Sequence, residues 1–169
     1  MGDAARANAA LIERFYTAFA RRDPAAMLAC YRPDVAFRDP VFGALTGPQV
    51  HAMWRMLAAR ATDLTIEFAS VAVTERTGSA HWEARYTYSA TGRSVHNRID
   101  ATFEFGDGLI TRHVDRFSLW RWAAMALGAK GALLGWLPPV RAEIRARAAR
   151  GLAAYMAAKP VSGSPRHAA

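Results

Sequence analysis

The hydrophobic period of the chain changes from helical to strand-like near residue 63. Before that point, apolar residues recur at helical spacing over residues 4–22, 24–31 and 48–61. After it, apolar and polar residues alternate in four runs, which begin near Leu64, Trp82, Val95 and Ile110. A period of 3.6 residues covers one face of a helix, whereas a period of two covers one face of a strand. The sequence therefore predicts an α+β fold in which three helices precede an antiparallel meander of four strands.

Local signals add detail to this order of elements. The alternation slips in phase near Ala69-Ser70, which predicts a β-bulge or bend within the first long strand. Gly106-Asp107-Gly108 predicts a tight turn with positive φ between the last two strands, and that last run extends to Leu119. Earlier in the chain, Val35-Ala36-Phe37 predicts a short strand that ends at Asp39-Pro40, and residues 41–47 predict a loop.

Length and cysteine content limit the class of protein. The 169 residues are enough for one domain with a sizeable core. No apolar run reaches the roughly 18 residues that a spanning helix needs, and the first residues do not resemble a signal peptide. The single cysteine, Cys30, cannot form an internal disulfide. These features predict a cytoplasmic protein.

The net positive charge arises entirely at the end of the chain. Residues 1–115 contain 13 Lys/Arg and 13 Asp/Glu, whereas residues 116–169 contain 9 Lys/Arg and one acid, Glu143. The whole net charge of +8 therefore arises in the last third. A neutral body argues against a nucleic-acid-binding protein, so no nucleic-acid partner is expected.

The C-terminal segment is the least ordinary part of the sequence. We expect a main domain over residues 1–128, a helical extension over 129–159 and a disordered tail over 160–169, where Ser, Gly and Pro accumulate. Residues 119–159 combine three tryptophans with a basic helix, a combination that suits contact with an anionic membrane surface. The alternative is that this extension packs over a pocket mouth or a dimer interface, with its arginines in solvent.

Three motifs carry a resemblance to a known family. They are Phe15-Tyr16-x-Ala18-Phe19, Phe37-Arg38-Asp39-Pro40 and the segment from Asp107-Gly108 to His113-x-Asp115-x-Phe117. With the order of elements, they make residues 8–128 resemble the nuclear-transport-factor-2-like superfamily. This superfamily includes ketosteroid isomerases, SnoaL-type polyketide cyclases, scytalone dehydratases and limonene epoxide hydrolases, and the late stretch looks most like the SnoaL-type proteins.

The resemblance implies a fold and a kind of site. The implied fold is a cone-shaped, curved antiparallel sheet that encloses the N-terminal helices, followed here by the C-terminal helical extension. It also implies a homodimer through the convex sheet face and a pocket for a small hydrophobic ligand. Asp39 stands where ketosteroid isomerases keep a general base. The tyrosine that those enzymes use on the first helix corresponds to Phe15 here, with Tyr16 one position away.

His113 and Asp115 are the second group of candidate catalytic residues. They stand at i and i+2 of one predicted strand, so they share one sheet face, and Phe117 continues that face. If this face points into the cone, both side chains can bind or protonate a substrate oxygen, and histidine suits this work near neutral pH. The alternative is a hydrogen-bonded pair with a purely structural role.

Asp100 has two conflicting alignments. Aligning Ile99-Asp100 with the family places Asp100 at the position of a catalytic aspartate, whereas aligning Phe103-x-Phe105 places Ala101 there. A shift of one residue moves a side chain to the opposite sheet face. We favour the register in which Ile99 points inward and Asp100 lies on the outer, dimer-forming face.

Apolar residues supply the predicted pocket wall. The candidate substrate-binding residues are Phe15, Phe19, Trp54, Trp82, Tyr86, Phe103 and Phe117. The same residue types build an ordinary core, and only a void distinguishes the two cases. No metal is expected, because the sequence contains no His-x-x-x-His motif and no cysteine pair.

These observations lead to two functional hypotheses. The first is an isomerase-like or cyclase-like enzyme that needs no cofactor and transfers a proton next to a carbonyl of a small, apolar, oxygenated substrate. In it, Asp39 takes the proton while His113 and Asp115 stabilise or protonate the oxygen. The second is a non-catalytic carrier or binding module for a hydrophobic ligand, at a membrane surface or elsewhere.

Overall fold

The structure is a computed structural model that describes residues 2–158. The tail predicted over residues 160–169 lies outside the described residues. Within residues 2–158 the chain forms an α+β fold in which helices pack in the concavity of a curved, unclosed six-stranded sheet. This arrangement confirms the predicted cone-shaped architecture.

Three N-terminal helices are present, as predicted. They are α1 (Asp3–Ala20), α2 (Pro24–Leu28) and α3 (Pro48–Arg60). The carboxylate of Asp23 accepts a hydrogen bond from the Ala26 amide and so caps α2, while Pro24 and Pro48 occupy first-turn positions where a missing N–H costs little. The helix α2 is shorter than the predicted 24–31, because the chain is already extended at Tyr31.

The sheet contains the predicted meander and one further hairpin. Its strands are β1 (Tyr31–Asp39), β2 (Gly43–Thr46), β3 (Thr65–Val73), β4 (Thr77–Tyr88), β5 (Arg93–Gly106) and β6 (Leu109–Arg116). Their spatial order is β2-β1-β6-β5-β4-β3. The strands β3 to β6 pair antiparallel in sequence order, whereas β1 runs parallel to β6. The sheet is therefore mixed at this one junction and not antiparallel throughout.

Two predictions about the N-terminal third were incomplete or wrong. The short strand predicted over residues 35–37 is present but longer, since β1 begins at Tyr31 and includes Arg32-Pro33-Asp34. Residues 43–46, predicted as loop, form β2 by pairing with the end of β1. Pairing with β6 and β2 supplies the backbone partners that local sequence did not indicate.

The bend predicted in the first long strand is confirmed. The register between β3 and β4 shifts between Ala69 and Ala72, and Ser70 has a φ of 55°. The predicted tight turn between β5 and β6 is confirmed as well, because Asp107 and Gly108 have φ values of 53° and 74°. Such turns have the twist that antiparallel neighbours require.

The inner face of β5 is the one predicted. Val95, Ile99, Ala101 and Phe103 are buried, and Asp100 is exposed. Asp100 accepts a hydrogen bond from His81 Nδ1 at 2.8 Å on the convex side of the sheet. The register that would have made Asp100 part of the interior is therefore wrong.

The C-terminal segment forms three helices. They are α4 (Leu119–Leu127), α5 (Ala129–Leu134) and α6 (Pro138–Ala158). The strand predicted to reach Leu119 ends at Arg116, because the Ser118 side chain caps α4. The helix α4 packs on β5 through a small cluster around Val95, and α6 packs against α3. No helix within residues 2–158 is long and apolar enough to cross a bilayer.

Candidate functional site

A cavity of about 1010 Å³ opens between the inner face of the sheet and the helices α3, α4 and α6. Most of its wall is apolar, with Phe19, Trp54, Trp82, Ile99 and Phe117 among the lining side chains. The carboxylates of Asp39 and Asp115 also line it, and Glu143 of α6 contributes a third. A large apolar cavity with a few polar groups is the usual form of a small-molecule site.

Asp39 ends β1 at the wall of this cavity. Its carboxylate accepts backbone hydrogen bonds from Val41 and from Phe42, in the turn that leads to β2. Burial nevertheless raises the pKa of Asp39 from 3.8 to about 7, and the nearby charge of Asp115 adds to the rise, while the backbone hydrogen bonds oppose it. The side chain therefore changes protonation state near neutral pH, which is the range in which a general base works best.

Asp115 is held in place by one donor from β4 and one from its own strand, β6. Trp82 Nε1 donates to its Oδ1 at 3.1 Å, and His113 Nε2 lies 3.0 Å from the same oxygen. On the other side of the His113 ring, Nδ1 lies 2.6 Å from the Tyr31 hydroxyl oxygen. If the phenol donates to Nδ1, then Nε2 carries the proton and donates to Asp115, so each contact has one donor and one acceptor. The chain Tyr31–His113–Asp115 thus orients one carboxylate toward the cavity.

His113 itself does not line the cavity. Its side chain is fully buried, and both of its nitrogens have protein partners. Five aromatic rings surround the imidazole. Trp54 stacks on it and Tyr31 lies tilted to it, both at centroid distances of 6.1 Å. Phe103 lies at 4.4 Å, and Phe15 and Phe37 meet the ring edge to face. The structure places His113 behind Asp115, where its ring contacts that carboxylate and not the cavity.

Tyr86 provides a hydroxyl group inside the cavity. Trp122 Nε1, from α4, donates to the Tyr86 hydroxyl oxygen at 2.9 Å. That bond leaves the O–H hydrogen of Tyr86 without an acceptor anywhere in residues 2–158. Burial raises the pKa of Tyr86, so the phenol keeps its proton at neutral pH. Asn97, on the neighbouring strand β5, lines the same cavity and has amide donors.

The helix α6 forms part of the cavity mouth. Val140 and Ile144 contribute apolar side chains there, and Arg147 lies nearby on the same helix. A further charged pair at the mouth, Arg150 and Glu143, is joined by an ion pair of 2.8 Å. The C-terminal extension therefore closes one side of the pocket, as one of the two sequence interpretations proposed.

The structure divides the predicted site residues into two groups. Those on the cavity wall are Asp39, Asp115, Phe19, Trp54, Trp82, Tyr86 and Phe117. Those behind the wall are His113, Phe15 and Phe103, which are buried in the core. Phe15 lies against the His113 ring. The neighbouring Tyr16 hydroxyl is buried without a hydrogen-bond partner among the described residues, and burial raises its pKa.

Sequence reasoning missed three residues of this site. Asn97 lies two residues from Val95 and from Ile99 on β5, so the alternation of that strand alone indicated that its side chain points inward. Trp122 follows helical spacing within α4, yet nothing local indicated its contact with Tyr86. Tyr31 was assigned to a helix, and its partner His113 is 82 positions away in the chain. No local pattern reveals such a pair.

Known structures share this architecture. A candidate polyketide cyclase from Xanthomonas campestris has a TM-score of 0.61 and 22% identity, over 73% of this chain and 99% of its own. A candidate SnoaL-like polyketide cyclase from Jannaschia sp. has a TM-score of 0.68 and 12% identity, over 76% and 96%. An epoxide hydrolase of the limonene-epoxide-hydrolase-like type from M. tuberculosis has a TM-score of 0.60 and 17% identity, over 78% and 97%.

These likenesses concern the fold, since all three identities are low. None of the curated proteins matches the chain. A family profile described as the SnoaL-like domain matches residues 12–113, more than half of the chain, and this range includes Asp39 and His113. The protein therefore belongs to the SnoaL-like domain family.

Proposed function

We propose that this protein is an isomerase-like or cyclase-like enzyme that needs no cofactor and transfers a proton next to a carbonyl of a small, apolar, oxygenated substrate. The observation that carries the proposal is Asp39, a carboxyl group with a pKa of about 7 on the wall of an apolar cavity. A base with that pKa removes a proton from carbon far better than an ordinary carboxylate does, and half of it is ionised at neutral pH.

In the proposed reaction, ionised Asp39 breaks a C–H bond on the carbon beside the carbonyl. The proton goes to the carboxylate, and the electron pair of that bond moves onto the carbonyl oxygen as an enolate. The protonated Asp39 then returns the proton to another carbon in an isomerisation. In a cyclisation the enolate carbon instead attacks a second carbonyl, whose π electrons move onto its oxygen, and the resulting alkoxide takes the proton from Asp39. Neither route needs an oxidant or a metal.

The enolate oxygen needs hydrogen-bond donors. Tyr86 suits this role, because Trp122 donates to its oxygen and its own O–H hydrogen is available to the cavity. The Asn97 amide is a second candidate donor. Fixed donors of this kind stabilise developing negative charge in a water-poor site. In this proposal the negative charge of Asp115 helps to raise the pKa of Asp39, and His113 positions the Asp115 carboxylate.

A carrier function is the second candidate. The observation that favours it is the size of the cavity, about 1010 Å³, which is at the upper end of ordinary ligand pockets. A carrier would hold a hydrophobic molecule without needing an ionisable Asp39. The enzyme therefore requires an ionisable side chain at Asp39, whereas the carrier does not.

The direct test is hydrogen exchange at carbon. Cyclic ketones are incubated in D₂O with wild type, with Asp39→Asn and with Asp100→Asn, and loss of the protons beside the carbonyl is followed by NMR. We expect catalysed exchange by wild type, a loss of about a hundredfold or more in Asp39→Asn, and no change in Asp100→Asn, whose carboxylate is exposed on the convex face. Equal exchange by wild type and Asp39→Asn would refute the assignment.

Ligand binding distinguishes the carrier. Phenols resemble enolates, and the amide of Asp39→Asn resembles a base that has already taken its proton. The enzyme hypothesis predicts that phenols raise the melting temperature of Asp39→Asn at least as much as that of wild type. A carrier would instead bind fatty acids equally in both proteins and show no catalysed exchange with any ketone.

A further inference from the structure

Four large apolar side chains are exposed on α4, on α5 and in the turn that follows α5. The exposed fractions are 46% for Trp120, 71% for Leu133, 43% for Leu134 and 63% for Trp136. Among residues 2–158 the only other exposed large apolar side chain is Met156, at the far end of α6. We call these four residues the apolar tip. Exposed apolar residues that cluster in this way usually mark a contact surface.

The apolar tip is built on a tightly packed helix pair. Gly131 of α5 lies so close to α4 that a Cβ atom there would be 1.8 Å from the Ala123 carbonyl oxygen. Trp120 Nε1 donates to the Ala132 carbonyl at 3.0 Å, and Trp136 Nε1 donates to the Leu133 carbonyl at 3.0 Å. Both indole N–H groups therefore already have hydrogen-bond acceptors, so the exposed ring faces can enter an apolar environment without leaving a donor unpaired.

Basic residues neighbour the apolar tip along the chain. Arg121 follows Trp120, Lys130 lies one helical turn before Leu134, and Arg141 is in the first turn of α6. Within the part of the chain that the structure describes, none of these three cations forms an ion pair. Residues 116–158 contain seven Lys/Arg and one acid, Glu143. An apolar centre with a basic border is complementary to a bilayer whose headgroups are anionic.

Two other occupants fit this surface less well. A second copy would bring the basic border against an identical basic border, because a symmetric interface pairs a surface with itself. Residues 159–169 of the same chain contain two basic residues and no acid, so they do not complement the border either. Charge therefore favours an anionic lipid surface over both.

We propose that the apolar tip of Trp120, Leu133, Leu134 and Trp136 inserts into the interface of anionic membranes while the adjacent cations contact lipid headgroups. The surface adjoins the cavity, because Leu127 before α5 and Pro139 and Val140 after it line the cavity wall. Docking through the tip would hold the cavity mouth close to the lipid, where apolar ligands dissolve. The proposal concerns attachment alone and does not depend on the proton-transfer function.

The test is co-sedimentation of the full chain with vesicles. One set contains phosphatidylcholine alone, and the other contains phosphatidylcholine mixed with phosphatidylglycerol. We expect binding to the anionic set, weakening as salt is added, because exposed charges are screened by salt. We expect little binding to the neutral set. Absence of binding to anionic vesicles at low salt would overturn the proposal.

Substitutions separate the apolar tip from the charge around it. Replacing Leu133 and Trp136 together by Ser should lower partitioning at least tenfold, since two large apolar side chains no longer enter the interface. Replacing Lys130 by Gln should lower it about fivefold on anionic vesicles alone. The matched control is Met156→Ser, on a side chain that is 40% exposed and about 27 Å along α6 from its start. This control should bind like wild type.

Folding and self-association are measured on the same samples. All of these side chains are exposed, so circular dichroism and the melting temperature should match those of wild type. If wild type and the Leu133→Ser/Trp136→Ser variant bind vesicles equally, the tip is not the contact and the proposal fails. If that variant instead lowers the molar mass seen by light scattering without lipid, the tip is a contact between copies, and the proposal fails in that way.

Discussion

Asp39 and Asp115 lie side by side on parallel strands, each two residues beyond the paired residues Phe37 and His113. Side chains two positions apart share a sheet face, so both carboxylates face the same cavity. They lie close enough for the charge of Asp115 to help raise the pKa of Asp39, although burial is the larger cause. Two carboxylates with different surroundings can thus take different roles.

Removing the charge of Asp115 should make Asp39 more acidic. In Asp115→Asn, the amide oxygen can still accept from Trp82 and His113, so the local structure should persist. The repulsion disappears, and the midpoint at which exchange activity rises with pH should move down from about 7 by roughly half a unit to one unit. The measurement is kcat/KM for proton exchange against pH. An unchanged or higher midpoint would show that Asp115 does not act through its charge.

Asp39 should also make stability depend on pH. Below about pH 4 its carboxyl is protonated in both the folded and the unfolded chain, and above about pH 7 it is ionised in both. Between these values the unfolded chain binds fewer protons, so the free energy of unfolding falls as pH rises. At about 1.4 kcal/mol per pH unit, the loss approaches roughly 4 kcal/mol. Asp39→Asn lacks this loss.

Urea unfolding of wild type and Asp39→Asn at about pH 5 and about pH 8 checks this expectation. The stability advantage of Asp39→Asn over wild type should be larger at the higher pH. Every other titrating group is common to the two proteins, so the difference isolates Asp39. Parallel pH curves for the two proteins would mean that the pKa of Asp39 is not raised in the folded state.

Tyr31 should matter although it does not line the cavity. Tyr31→Phe removes the partner 2.6 Å from His113 Nδ1 and leaves a buried ring nitrogen unpaired, which costs about 1–3 kcal/mol of stability. The tautomer of His113, and with it the orientation of Asp115, is then no longer determined. We expect kcat for exchange to fall about tenfold or more, with KM little changed. A ¹⁵N NMR spectrum of the His113 ring would report the tautomer, and an unaltered spectrum would contradict this explanation.

Replacement of Gly131 and of Gly151 by alanine should change stability in opposite directions. In Gly131→Ala the new methyl group would meet backbone atoms of Ala123 and Ala124 within 3 Å, so the helices must separate, at a cost of about 1–3 kcal/mol. In Gly151→Ala, within α6, the nearest atom is 3.7 Å away at the end of the Arg60 side chain, and helix propensity should stabilise by about 0.5–1 kcal/mol. Thermal unfolding of both variants tests the contrast. Equal changes would mean that α5 is not packed as described.

The order of elements was predictable because it depends on local periodicity. The switch from helical spacing to alternation predicted α1, α3 and the meander of β3 to β6, and the phase slip near Ser70 predicted the bend in β3. The inward phase of β5 followed in the same way, since burying one face of a strand determines which alternate residues are inside. The homodimer and the cytoplasmic location remain predictions.

Elements that depend on distant partners were not predictable in this way. The strand β2 contains only four residues, and the extended start of β1 includes a proline, so neither has a local strand pattern. Both exist because neighbouring strands satisfy their backbone groups. The same is true of α4 and α6, whose positions at the cavity depend on contacts with β5 and α3.

The sequence by itself determined the types of elements and their order, because helical and strand periods depend on neighbouring residues. Its resemblance to a known superfamily singled out Asp39, and the i, i+2 spacing on a predicted strand singled out His113 and Asp115. The tertiary structure alone decided the surroundings of those residues. It brought β1 beside β6, buried Asp39 enough to raise its pKa to about 7, and placed His113 behind Asp115 with Tyr31 as its partner. Burial, charge proximity and hydrogen bonds between strands arise only when distant segments pack together, and their balance brings the pKa of Asp39 to near neutral pH.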